Sequence, residues 1–103
     1  MSVTNLQSPA SGQPVANQFE IRLHGTSIFK SYDTIIAIRD LDTGHTLVNK
    51  DYWQDSATTL KYFKVWLGTD MSKKELAQYL VDADNYKLVP HLVITDQYYS
   101  LVA

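Results

Sequence analysis

The sequence predicts an α+β domain, a small antiparallel sheet with two helices packed on one face. Three observations predict it. Residues 19–23 alternate apolar and polar with the period of a half-buried strand. Residues 34–38 form a β-branched apolar run. From Ser56 onward the apolar spacing changes to that of a helix. With 103 residues, 45% of them hydrophobic, the chain holds one core and no second.

Residues 1–17 hold two of the three prolines, Pro9 and Pro14, and no charged side chain before Glu20. Serine, glycine and amides fill the rest, so composition predicts a flexible N-terminal tail, or an arm that docks on a partner chain. The single domain is expected over 18–103. Phe19, Ile21 and Leu23 mark its first strand, and Gly25 breaks it before Ser27 to Lys30 resume. Thr34-Ile-Ile-Ala-Ile38 is apolar on both faces and reads as a central strand. Asp40 to Gly44 is a turn of about five residues, and Thr46 to Val48 returns as its hairpin partner.

Ser56 is a good N-cap for a helix carrying Leu60, Phe63 and Leu67 on one face, with Gly68 as its stop. Thr59, Tyr62 and Trp66 lie on an adjacent face, so this helix is expected to pack on two sides. Met71-Ser-Lys-Lys-Glu-Leu76 combines a capping box, Ser72 with Glu75, and a staple of Met71 on Leu76. This second helix is expected to end between Ala83 and Asn85. Leu88 to Thr95 then reads as a strand whose start Pro90 weakens, and Tyr98 to Val102 as a last short one.

Composition excludes several functions. No cysteine is present, so disulfides, thiol nucleophiles and thiolate metal sites are excluded. No apolar run reaches the roughly 18 residues of a membrane span, and no signal-peptide pattern opens the chain. A cytoplasmic protein is therefore expected. The net charge of −2 gives no basic field for coating nucleic acid.

Candidate chemistry is sparse. His24, His45 and His91 fall in separate elements without metal-ligand spacing, so no metal site is predicted. Asp40-Leu-Asp42-Thr-Gly44 opens like a calcium loop but lacks its third ligand and terminal Glu; a hairpin turn explains it. Neither a nucleophile elbow nor a phosphate-cradling glycine loop occurs, so neither an enzyme nor a cofactor is expected.

Charge and aromatic residues are more informative. Residues 33–55 carry a local charge of −3 and residues 56–81 one of +2. Lys61, Lys64, Lys73 and Lys74 read first as a solvated face, with phosphate contacts in a helix-turn-helix reader as the alternative. Seven Tyr and two Trp exceed what one small core easily buries. In the adjacent pairs Tyr52-Trp53 and Tyr98-Tyr99, one member of each is expected to meet solvent or a partner. The alternative is a ring that covers the edge of the core with its hydroxyl in water.

Ser31-Tyr-Asp-Thr-x-Ile-Ala37, Tyr52-Trp53 and Ser56-x-Thr-Thr-x-Lys-Tyr62 together resemble a family of small proteins of unknown function, borne mainly by phages, prophages and plasmids of Gram-positive bacteria. Family members often carry His after that Lys, where this chain has Tyr62. As a strand-to-helix junction the motif needs no active site. The resemblance implies a mobile-element accessory protein that binds a host protein, as inhibitors of CRISPR nucleases do; that step is analogy. The expected contacts are Tyr52, Trp53, Tyr98, Tyr99, Asp40 and Asp42. A homodimer through the edge near Pro90 or the tyrosine-rich end is compatible, and a nucleic-acid regulator using the four lysines is the alternative.

Overall fold

A computed structural model describes residues 2–90, 92–94 and 99–101. Six strands form one sheet in chain order: β1 (Ser2–Gln7), β2 (Pro14–Leu23), β3 (Thr26–Ser31), β4 (Thr34–Asp40), β5 (Thr46–Asn49) and β6 (Tyr86–Val89). The first five are an antiparallel meander. Helices α1 (Ala57–Leu67) and α2 (Lys73–Asp82) connect β5 to β6, which pairs parallel to it. A separate ladder joins β7 (Leu92–Ile94) to β8 (Tyr99–Leu101). The domain is thus α+β, but its sheet is larger than expected and mixed, because a parallel pair needs a crossover and the two helices supply it.

Both helices begin and end where their caps predict. The Ser56 hydroxyl accepts from the Thr59 N–H, and Gly68 closes α1 in the left-handed region at φ 76. Ser72 and Glu75 form both bonds of the capping box at the start of α2.

The N-terminal segment expected as a tail is a hairpin. β1 pairs with an extended β2 whose ladder reaches back to Pro14. Pro9 sits in the connecting turn and Pro14 at the first position of its strand, so neither removes an internal ladder bond. Leu6 and Val15 pack against the core, and the Asn5 amide donates to the Val15 carbonyl at 2.9 Å. Composition missed this because the ordering is offset by the ladder to β2 and by packing on the core, neither of which composition reports. The apolar run after Leu88 is also divided. Pro90 separates β6 from β7, and the two belong to different sheets.

The single core expected from length is divided into two clusters, and a bulge places them. Phe29 pairs with Ala37 and Lys30 with Ile35, leaving Ile36 as the extra residue. Ile36 and Ala37 therefore join Phe29 and Val48 in one cluster with Trp53, Tyr62, Phe63, Trp66, Leu76 and Leu80. Ile38 instead meets Ile28, Val89 and Leu92 in a second cluster. Phe63 lies at the centre of the first, with ring centroids about 6 Å from those of Phe29, Trp53 and Trp66. Among the described residues no helix is long and apolar enough to cross a membrane.

Candidate functional site: a hydroxyl-lined cavity at the head of helix α1

The expected contact residues do not form one patch. Tyr52 is 43% exposed, but Trp53 is 2% exposed and belongs to the core, so it is withdrawn as a contact. Asn49 decides which ring goes in. Its side-chain amide donates to the Ile35 carbonyl, its side-chain oxygen accepts from the Asp51 N–H, and its carbonyl accepts from the N–H groups of Tyr52 and Trp53. Asp40 and Asp42 lie at the opposite end of β4 from Thr34, about 20 Å away at about 3.3 Å per residue. The Asp40 carboxylate accepts from the N–H groups of Asp42 and Thr43, the bonding of a hairpin turn. Tyr98 lies outside the described residues, as does His91, and Tyr99 enters as the first residue of β8.

Lys61 and Lys64 flank a groove of about 430 Å³ with Pro9, Leu60 and Val65. Lys73 and Lys74 are exposed in the first turn of α2, the positive end of the helix dipole. Among the described residues no group of three His, Cys, Asp or Glu is placed to hold a metal ion.

The convergence that sequence reading missed lies where β3, β4, the loop after β5 and the first turn of α1 meet. A cavity of about 320 Å³ is lined there by Ser31, Tyr32, Thr34 and Ile36 of the β3–β4 hairpin, Tyr52 and Asp55 of the loop after β5, and Ser56, Thr58 and Thr59 at the start of α1. The three segments that carry the resemblance thus surround one space. Their shared origin in a single motif was the available signal; their convergence needed the register of β3 and β4.

Hydroxyls form its floor. Ser56 Oγ donates to Thr59 Oγ1 at 3.0 Å, and Thr59 Oγ1 lies 2.9 Å from Ser31 Oγ. Tyr32, 52% exposed, stands at the mouth and is held in the left-handed region at φ 53. Its N–H donates to the carbonyl of Asn17, itself at φ 67. A bulky residue in that region is strained, and such strain clusters at functional positions. Behind the floor, Gln18 pairs directly across from Ser31, which puts both side chains on one sheet face. Gln18 is fully buried, and neither atom of its amide has a hydrogen-bond partner among the described residues.

A second polar row crosses the sheet away from the cavity. Ser27 donates to Glu20 at 2.6 Å and accepts from the Trp66 indole at 3.0 Å. Arg39 lies 4.6 Å from the Trp66 ring and donates to the hydroxyls of Thr46 and Tyr86. Every member has a partner, so this row orders the sheet–helix packing.

Residues 1–83 match the profile of a family of unknown function (DUF8033), and the chain belongs to that family. The match takes in β1 and all the cavity residues. No curated protein and no solved structure matches the chain.

Proposed function

We propose that this member of a family without an assigned activity is a non-enzymatic accessory protein that binds a partner protein through the cavity face framed by Tyr32 and Tyr52. The observation that carries the reading is the exposure of both tyrosines at the mouth of one concave, polar site. Large rigid rings around a polar recess are what protein interfaces use as anchors. The lining holds hydroxyls and one carboxylate, and among the described residues none of those hydroxyls is hydrogen-bonded to the Asp55 carboxylate as a nucleophile is to its base.

The resemblance to phage- and plasmid-borne proteins supports the finer form of this proposal. The partner is then a host protein met in the host cytoplasm, and in its most specific form a defence nuclease of the CRISPR type, inhibited stoichiometrically. Asp33, Asp51 and Asp55 are all exposed on the segments around the cavity, which favours a partner surface without excess negative charge.

Tagged protein expressed in a Gram-positive host tests this, with the retained material compared at low and high salt. One host protein held through high salt, and lost by about 30-fold or more in Tyr52→Ala, is the expected result. Nucleic acid released as salt rises would instead move the function to Lys61, Lys64, Lys73 and Lys74.

A further inference from the structure

We infer that the cavity at the head of α1 takes a neutral carboxamide, the side chain of an asparagine or glutamine presented by the partner protein. The inference rests on reading this face as a protein contact, and it names the group that enters.

The floor of the cavity has a hydrogen to give. Ser31, Ser56 and Thr59 bring three hydroxyl hydrogens to two oxygen–oxygen contacts. Ser56 spends its hydrogen on Thr59. The second contact uses one more, from either Thr59 or Ser31, and the remaining hydrogen has no acceptor among the described residues. The first turn of α1 adds to this. Ser56 satisfies the Thr59 N–H, while the N–H groups of Ala57 and Thr58 precede any intrahelical acceptor. Thr58 lines the cavity. The interior thus offers donors and requires an acceptor.

The rim is of opposite character. The Asp55 carboxylate lines the cavity, is exposed, and makes no hydrogen bond to a described side chain. It requires a donor. The hydroxyls of Thr34, Tyr32 and Tyr52 accept or donate as needed.

Neither half suits an ion that fills the whole cavity. A cation entering the floor meets the positive end of the helix dipole and hydrogens pointing at it. An anion meets Asp55, and no lysine, arginine or histidine lines the cavity to offset it. A neutral group with an acceptor at one end and donors at the other fits both. A carboxamide has that form: its oxygen faces the floor and its NH₂ faces Asp55. The rings of Tyr32 and Tyr52 flank the stem that carries it. The volume of about 320 Å³ lies at the small end of ligand-sized sites, which suits one side chain better than a whole ligand.

Gln18, behind the floor and outside the cavity lining, is a second under-bonded polar group at this corner. A fully buried amide without partners destabilises a domain unless something polar completes it. It stands beside Ser31, the hydroxyl at the inner end of the chain.

The test uses three probes of one size on the full chain: propionamide, propionate and ethylguanidinium, followed through backbone amide shifts in NMR spectra. Propionamide is expected to produce saturable shifts at Tyr32, Ser56 and Thr58, about tenfold tighter than either ion. In Asp55→Ala, an exposed substitution outside the core, propionamide is expected to weaken about tenfold while the spectrum elsewhere stays native. Equal or stronger binding of propionate or ethylguanidinium overturns the inference, as does no shift at the cavity or an unchanged affinity in Asp55→Ala. Loss of the host protein in Tyr52→Ala is read separately, so the protein-binding proposal stands or falls on its own.

Discussion

Tyr32 occupies a position where side chains are disfavoured. In the two-residue turn between β3 and β4 it has φ 53, a conformation that glycine adopts freely. The usual ranking of alanine above glycine should therefore reverse there. Tyr32→Gly is expected to be more stable than Tyr32→Ala by about 1 kcal/mol, read from urea midpoints. Equal stabilities would show that the turn relaxes and stores no strain.

Single residues were legible where their roles are local. Ser56, Gly68, Ser72 and Glu75 act on neighbours within four positions, so their pattern suffices to place the caps. Trp53 was not legible. Whether it or Tyr52 turns inward depends on Asn49, whose amide reaches back 14 residues to Ile35. The cavity failed to appear for the same reason, since Ser31 and Thr59 meet across 28 residues.

Among the elements, α2 carries a pH dependence. The Glu75 carboxylate bonds to the backbone and hydroxyl of Ser72 and feels Lys64, which together hold its pKa below its ordinary value of 4.5. A folded-state pKa lower than the unfolded one stabilises the fold above the unfolded value and loses that contribution as pH falls below it. Thermal midpoints of wild type and Glu75→Ala should therefore differ at pH 7 and converge as the pH drops below 4.5. A gap that persists in acid would assign the effect to helix propensity rather than to the charge.

β1 is the element that composition hid. Its ladder to β2 and the packing of Leu6 against the core give it a share of the stability. Removing residues 2–8 is expected to lower stability by about 2 kcal/mol, the scale of one buried leucine and the end of a ladder. Intact protein should also resist proteolysis before Pro14. Rapid cleavage there with unchanged stability would restore the tail. Alternation showed the strands after Phe19, whereas β1 is polar and half exposed and has no such signature.

At the scale of the whole molecule, the α+β class and both helices were legible from periodicity, and the sheet's outer arrangement was not. Parallel pairing of β5 with β6 leaves no mark in either four-residue strand. It follows from where α1 and α2 set the chain down. The family match ends at residue 83, just before β6 begins, so the matched region holds the meander and both helices without the strand that completes the sheet.

That completing strand is also the last to be made. Each strand from β2 to β5 pairs with its immediate predecessor, so the meander can assemble step by step as the chain leaves the ribosome. β6 cannot join until both helices have been synthesised and turned back. Until then the Thr46 and Lys50 N–H groups, which finally donate to Asn85 and Val89, have only water to bond. The newborn protein thus passes through an interval with a β-strand edge open to other nascent chains. The speed with which two short helices dock sets how long that interval lasts.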